Sequence, residues 1–221
     1  MDSGGASAAE LSDALKFLAT TNTFLGGWSI LRERLEAWCP AWKKDEPVTF
    51  LDVGTGAADL PLRILSWARA RGFKVTVTAI DGDPMVLDYA RRRTAGAPGL
   101  ELLGASLQSF AAGERRFTYV MGSLFLHHVP PAELTDALRL CDRLATRGLL
   151  FSDLLRSPAA YAGVRALTCL SGRVTRFDGP LSVRRAFLPE ELEAAAAEAG
   201  LGYLRVRRGP FFRLSLSGEK R

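Results

Sequence analysis

Apolar residues recur along the chain with two periods, which predict where helices and strands lie. Near the N-terminus, Leu11, Leu15 and Leu18 are spaced three or four residues apart, and a second stripe of this kind spans Trp28–Trp38. This spacing places apolar side chains on one face of a helix. The chain is therefore expected to begin with two amphipathic helices.

From residue 46 onward, short β-rich runs alternate with helical stretches. Predicted strands cover residues 48–53, 74–80, 100–104, 117–123 and 149–153, and predicted helices cover residues 60–71, 84–93, 131–144 and 189–199. Strands that alternate with helices form right-handed βαβ units and a parallel sheet. Two short runs around Gly209-Pro210 predict a final antiparallel hairpin at the edge of that sheet.

The length of 221 residues suits one α/β domain. We divide it into an N-terminal helical cap (1–45), a core (46–153), an insertion (154–188) and a C-terminal helix with hairpin (189–221). The insertion is the longest stretch without a regular pattern, and such stretches in compact domains are usually lids or binding loops. We therefore expect residues 154–188 to be a mobile lid.

Charge is concentrated in the insertion. It holds six arginines against Asp178, a local excess equal to the net charge of +5 of the whole chain. Two interpretations remain open: a solvated arginine-rich surface, or an electropositive lid over an anionic or carrier-bound ligand. No basic stripe is interleaved with aromatic residues, so nucleic-acid binding is not expected.

The cysteines and the hydropathy pattern indicate a cytoplasmic protein. Cys39, Cys141 and Cys169 form no CxxC pair, which argues against a disulfide framework and a zinc site, and Cys141 is expected in the core. No apolar run reaches the length of a membrane span, and the N-terminus lacks the pattern of a signal peptide.

The strongest chemical signal is the segment Leu51–Asp59, where a predicted strand ends in Gly54-Thr55-Gly56. The glycines let the backbone pass close to a ligand, although an ordinary strand–turn–helix bend would also explain them. Dinucleotide sites place a third glycine where this chain has Asp59. A carboxylate there would repel a pyrophosphate but suits a cationic amino acid. The pattern therefore favours S-adenosylmethionine, which carries an ammonium and a sulfonium and no phosphate.

A second signal lies 25 residues beyond Gly56, where Asp81 ends the next predicted strand. A strand-end acid at about this distance accepts hydrogen bonds from ribose hydroxyls. Asp83 competes for this role, but it is also the expected N-cap of the helix that begins at Pro84. Met85 is expected either beside the adenine or in the core.

Together these motifs resemble those of the class I S-adenosylmethionine-dependent methyltransferases, in particular the small bacterial enzymes that methylate small molecules. The similarity runs from about Thr49 to Asp153 and includes Phe117–Val129, which resembles the family's fourth strand and its turn. It implies a Rossmann-like seven-stranded sheet, mostly parallel with an antiparallel C-terminal hairpin, and S-adenosylhomocysteine as the product. The implied cofactor-binding residues are Asp52, Gly54, Thr55, Gly56, Asp59, Asp81, Gly82, Met85, Ser106, Leu107 and Ser123.

Two positions depart from the family pattern. Ala58 replaces a common glycine, which is tolerable if its φ is negative, and Thr118 replaces a common aspartate. Neither change removes an expected cofactor contact.

Candidate catalytic residues follow the fourth and fifth strands. His127 and His128 are the two histidines of the chain, and Asp153 ends the fifth strand. Ligands of open α/β sheets bind at this carboxyl edge, and an imidazole can act as a base near neutral pH. We expect His127 to act as the base and Asp153 as an orienting or substrate-binding acid, whereas both histidines would also fit simple turn residues.

The acceptor is expected to be a small molecule that is methylated on a phenolic or polyketide-like hydroxyl. The predicted substrate-binding residues are His128, Tyr161, Arg184 and Arg185. Carbon methylation of a quinone-type ring remains an alternative, as does a non-catalytic cofactor-binding or partner protein of the same fold. A nicotinamide oxidoreductase is disfavoured by Asp59, and a homodimer is left open.

Overall fold

Seven β-strands form one sheet in the computed structural model, which describes residues 7–220. Residues 1–6 and 221 belong to the predicted cap and C-terminal segment and lie outside the described residues. The strands are β1 (Val48–Val53), β2 (Val75–Asp81), β3 (Leu100–Gly104), β4 (Phe117–Ser123), β5 (Ala145–Leu154), β6 (Arg205–Gly209) and β7 (Arg213–Glu219).

The strand order is β3-β2-β1-β4-β5-β7-β6. Strands β1 to β5 pair in parallel, and β7 pairs antiparallel with both β5 and β6. The predicted Rossmann-like sheet and its antiparallel C-terminal hairpin are therefore confirmed. Because β1 to β5 run the same way, their carboxyl ends meet at one edge of the sheet.

Helices cover both faces of this sheet, as parallel strands require. They are α1 (Ala8–Phe24), α2 (Gly27–Trp38), α3 (Asp59–Ala70), α4 (Pro84–Arg93), α5 (Leu107–Ala111), α6 (Leu134–Leu144), α7 (Pro158–Thr168), α8 (Arg173–Arg185) and α9 (Pro189–Glu198). One core lies between the sheet and α2 and α3, and another between the sheet and α6 and α9. Cys141 is buried in the second core, as expected.

An aromatic cluster ties the last strand to the parallel body of the sheet. Tyr119 on β4 stacks on Trp38 with ring centroids 5.0 Å apart, and its hydroxyl accepts a hydrogen bond from Trp42 Nε1 at 2.8 Å. The same hydroxyl donates to Glu219 Oε1 on β7 at 2.6 Å. The buried phenol thus has partners for its polar end, as a buried tyrosine requires.

The 154–188 insertion differs from its prediction, because most of it forms α7 and α8 and not an irregular loop. Signals for α7 were present: Ser157 caps it by accepting from Ala160 N–H at 3.1 Å, and Pro158 occupies its first turn. Pro180 lies inside α8 and obscures its helical pattern. The two helices pack on each other, and α8 also packs on α1.

Within residues 7–220, no helix has the length and apolarity needed to cross a bilayer. The same part of the chain contains no cluster of side chains suited to a metal ion, and its cysteines are free thiols.

Candidate active site

The glycine loop after β1 forms the floor of a pocket of about 500 Å³ at the carboxyl edge of the sheet. Gly54 and Gly56 both adopt positive φ, at 68° and 57°, a region that favours glycine. A Cβ atom on Gly54 would approach the ring of Phe125 to 2.9 Å. The backbone conformation therefore favours glycine at both positions, and at Gly54 the close approach of Phe125 requires it as well.

Asp81 joins this loop to the end of β2. Its Oδ2 accepts from Gly56 N–H at 3.0 Å, and its Oδ1 accepts from Asp83 N–H at 3.1 Å. Asp83 accepts from Met85 N–H at 2.8 Å and so caps α4, as expected. Asp81 lines the pocket, and its two backbone hydrogen bonds hold the carboxylate in place. Its position is suited to the ribose hydroxyls of a nucleoside.

Two further acids lie near the loop in different surroundings. Asp59 lines the pocket, is 7% exposed, and accepts from Asn22 Nδ2 at 3.3 Å. Burial raises its pKa above the ordinary value. Asp52 does not line the pocket but lies buried at the end of β1, where burial raises its pKa to about 7. Of the two predicted acids, only Asp59 lines the space in which a ligand would lie.

Most other predicted cofactor residues line the same pocket; they are Thr55, Gly82, Ser106, Leu107 and Ser123. Met85 is an exception. It is 41% exposed and faces a groove between α1 and α4, whereas Val86 lines the pocket. Successive side chains on a helix point about 100° apart, so adjacent residues such as Met85 and Val86 face different surroundings.

Ala58 contradicts the condition under which its replacement of glycine was thought tolerable. Its φ is +53°, a left-handed conformation, and the residue is fully buried at the N-cap of α3. An alanine in this region is strained relative to glycine.

Helix α1 contributes a wall that the motifs did not reveal. Leu15, Leu18 and Asn22 line the pocket beside the glycine loop. A signal was present, because Asn22 continues the apolar stripe of Leu11, Leu15 and Leu18 with a polar residue. A polar side chain on the buried face of a helix usually has a specific partner, and for Asn22 this partner is Asp59.

A second, smaller cavity of about 140 Å³ adjoins the first. Leu18, Leu124 and His128 line both, so the two spaces share one wall. The smaller cavity is mainly apolar, and among the side chains that line it are Ala14, Phe17, Leu25, Val164, Leu167 and Phe211. Such lining is typical of sites for apolar small molecules.

His127 lines this apolar cavity and is bound to Asp153 behind it. His127 Nδ1 lies 2.6 Å from Asp153 Oδ1, and both side chains are almost fully buried. Asp153 also accepts from the backbone N–H groups of His127 and Leu154, at 3.1 and 2.7 Å. Burial alone would raise the pKa of Asp153, but the neighbouring imidazole and these hydrogen bonds lower it below its ordinary value. The ionised carboxylate makes Nδ1 the donor, so Nε2 is the ring nitrogen left for other contacts.

The predicted substrate-binding residues are divided between two places. His128 is exposed and lines both cavities. Tyr161 and Arg184 line a separate groove between α7 and α8, and Arg185 is exposed and lines neither cavity. Tyr161 and Arg184 lie on the outer side of the helices, whereas the inner faces supply residues such as Val164 and Thr175 to the apolar cavity.

The pocket residues fit S-adenosylmethionine. The loop provides close backbone approach without a phosphate-binding third glycine, Asp59 offers a negative charge, and Asp81 is held for a ribose. The volume of about 500 Å³ lies within the range of small-molecule sites.

Comparisons with known proteins agree with this geometry. Residues 50–148 match a family model described as a methyltransferase domain. Residues 50–148, which include the glycine loop and Asp81, are thus similar to methyltransferase domains, a family that uses S-adenosylmethionine as its cofactor. A search of curated protein sequences found no match.

Solved structures share the fold at low sequence identity. A methyltransferase from Aquifex aeolicus is 18% identical, with a TM-score of 0.64, covering 94% of this chain and 97% of that one. Magnesium protoporphyrin IX methyltransferase from Synechocystis is 15% identical, with a TM-score of 0.57 and coverage of 86% and 81%. The plantazolicin methyltransferase BpumL is 10% identical, with a TM-score of 0.62 and coverage of 97% and 85%. The latter two contain S-adenosylhomocysteine.

Proposed function

We propose that this protein transfers the methyl group of S-adenosylmethionine to a hydroxyl oxygen of an apolar, phenol-like small molecule. The observation that carries the proposal is the buried His127–Asp153 pair, at 2.6 Å, on the wall of an apolar cavity adjoining the cofactor pocket. A base is needed where the acceptor loses a proton, and a hydroxyl does so on methylation.

Each part of the site has its own role in the proposed methyl transfer. Bound S-adenosylmethionine supplies a methyl group already activated by its sulfonium. The apolar cavity holds the acceptor against the shared wall formed by Leu124 and His128, and it excludes water. Asp153 holds the tautomer in which His127 Nδ1 is protonated, so that Nε2 accepts the proton of the acceptor hydroxyl.

The test is the replacement His127→Ala, assayed with a panel of phenolic acceptors and labelled cofactor. A phenol has a pKa near 10, so at pH 7 about a thousandth is ionised, and a positioned imidazole supplies a factor of roughly 10² to 10⁴. We expect kcat to fall at least about tenfold, cofactor affinity to stay within about twofold, and activity to recover partly at high pH. Full kcat with an unchanged pH–rate profile would contradict a base at position 127.

The second imidazole provides a comparison, because His128 is exposed beside the same cavity. The variant His128→Ala should keep the pH dependence of the wild type even if its KM changes. A mass spectrum and an NMR spectrum of the product distinguish oxygen from carbon methylation. A C-methylated product would leave the base in place and replace the hydroxyl acceptor with an acidic carbon.

Calorimetry tests the cofactor separately. We expect binding of S-adenosylmethionine and S-adenosylhomocysteine and none of NAD, because Asp59 occupies the position of the third glycine. Tight cofactor binding without turnover of any acceptor would favour a non-catalytic role.

A further inference from the structure

Arg213 is a buried cation at the start of β7 and lines the apolar cavity. Only 2% of its surface is exposed. Its Nε donates to Leu25 O at 2.8 Å, and its Nη2 donates to Asn22 Oδ1 at 3.2 Å. These two bonds, to the end of α1 and the residue after it, fix the plane of the guanidinium.

The remaining nitrogen, Nη1, is buried and has no hydrogen-bond partner among residues 7–220. The carboxylates whose charges act on Arg213 are Asp153 and Asp59. Asp153 already holds His127, and Asp59 accepts from Asn22. Burial lowers the pKa of Arg213 to about 10, so it is still protonated at neutral pH. Buried charges are normally paired, and an uncompensated donor is destabilising.

The turn that leads into Arg213 is itself strained. Phe211 and Phe212 both adopt positive φ, at 54° and 55°, and Arg213 N–H donates to Pro210 O at 3.2 Å. This is the geometry of a tight hairpin turn in which glycine or asparagine is usual and bulky residues are outliers. Strained turns of this kind are concentrated at ligand sites. Here the turn places Phe211 on the wall of the cavity that Arg213 lines.

We propose that Arg213 binds an anionic oxygen of the acceptor, so that the substrate class is an apolar aromatic acid with a hydroxyl to be methylated. The inference rests on the proposed function, because it takes the apolar cavity as the acceptor site. The cavity supplies apolar contact for the ring, His127 faces the hydroxyl, and Nη1 supplies a charged donor that the protein leaves unused. A charged donor fixed in an apolar site discriminates strongly for a complementary anion.

A purely structural role for Arg213 makes a different prediction. If the guanidinium only joins β7 to Asn22 and Leu25, its loss would weaken folding and would affect acidic and neutral ligands alike. The test must therefore compare ligands that differ only in the anionic group.

The probes are hydroxybenzoic and hydroxynaphthoic acids, each paired with its methyl ester. Their binding is measured by calorimetry on the full chain saturated with S-adenosylhomocysteine, and methyl transfer is measured in parallel. We expect the wild type to bind acids at least about tenfold more tightly than esters. Arg213→Gln should abolish this preference without changing cofactor affinity, and Arg213→Lys should retain part of it. Arg208→Gln removes an exposed arginine from the same hairpin and should keep the full preference.

The outcomes separate the inference from the proposed function. Equal binding of acids and esters by the wild type would overturn the role of Arg213, even if Arg213→Gln fails to fold. Equal weakening of both ligands in a folded Arg213→Gln would overturn it as well. Methylation of esters as efficiently as acids would leave the methyltransferase proposal standing while rejecting the anion site. Arg213-dependent binding of acids without methyl transfer would support the anion site and count against the proposed reaction.

Discussion

The two cavities of this molecule are built in opposite ways. The cofactor pocket is formed chiefly by the ends of adjacent parallel strands, so its glycines and acids occur in short local motifs where successive strands end. The apolar cavity draws on α1, the turn after β4, the helices α7 and α8 and the β6–β7 turn. The topology of the sheet itself fixes the position of a pocket at strand ends. A cavity formed by helices and turns outside the strands can change when those elements change. This difference suits a fixed cofactor and a variable acceptor.

The largest expected effect concerns Asp153, which lies near the end of β5 and holds His127 on the wall of the apolar cavity. In Asp153→Asn the negative charge is lost and one of the two accepting oxygens becomes an NH2 donor, so the tautomer with a protonated Nδ1 and an unprotonated Nε2 loses its support. We expect kcat to fall by roughly 10² to 10⁴ with cofactor affinity nearly unchanged. Steady-state kinetics and calorimetry check both.

The matched control is Asp136→Asn, which removes an exposed acid from α6. It should leave kcat within about twofold. If Asp153→Asn kept at least half of the wild-type kcat, the acceptor reaction would need only proximity and no His127–Asp153 pair.

The same contrast explains which site residues could be predicted from the sequence. Gly54, Asp59 and Asp81 were predictable because strand ends, glycine spacing and acid positions are local features of the chain. Leu25, Leu124 and Arg213 are far apart in sequence and meet only in the folded protein. Arg213 in particular follows two aromatic residues in an arginine-rich hairpin and resembles a surface charge until its burial is known.

Two of the predicted cofactor-binding residues do not line the pocket, and each case has a physical cause. Met85 was one helical position away from Val86, and a single position turns a side chain by about 100°. Asp52 belongs to the glycine-loop motif but is buried and does not line the pocket, whereas its neighbour Val53 does, because side chains alternate between the two faces of a strand.

We expect the stability of the protein to depend on pH through Asp52. Burial raises the pKa of Asp52 from 3.8 to about 7 in the folded protein. Between these values the folded state binds a proton that the unfolded chain has released, so the free energy of unfolding falls as pH rises. The slope is about 1.4 kcal/mol per pH unit. The stabilisation that this bound proton provides is fully present below pH 3.8, the pKa in the unfolded chain, and is lost above about pH 7, the pKa in the folded protein.

The variant Asp52→Asn stays neutral and should escape this loss. Without cofactor, it should be more stable than the wild type at pH 8, by on the order of 2–4 kcal/mol, and similar to it at pH 4. Urea unfolding at several pH values measures the difference, with Asp88→Asn on the exposed face of α4 as the control. Parallel pH profiles for Asp52→Asn and wild type would show that Asp52 is charged in the fold.

We expect the loss of Asp81 to weaken binding in the cofactor pocket. Asp81→Ala removes the carboxylate expected to bind the ribose and also its bonds to the loop at Gly56 and to Asp83. Binding of S-adenosylhomocysteine should weaken by about 1.5–3 kcal/mol, since the bonds involve a charged acceptor. Asp83→Ala, which removes the α4 cap, should mainly reduce stability by about 1 kcal/mol. Wild-type affinity in Asp81→Ala would place the ribose elsewhere.

The smallest expected effect tests whether the insertion arginines touch the acceptor or only attract it. Arg184 is exposed and lies in the outer groove between α7 and α8, away from both cavities. Charge reversal in Arg184→Glu should therefore act through the long-range field alone. At low ionic strength we expect KM for an acidic acceptor to rise by no more than about threefold, and the effect should vanish at 0.5 M salt, where the screening length is only a few ångströms. KM for the corresponding ester should not change. A rise of tenfold or more that survives high salt would mean that Arg184 contacts the acceptor directly, as the arginine-rich sequence first suggested. The acceptor site would then extend over the outer face of the insertion, and Arg213 would no longer be the sole cation needed to explain a preference for acids.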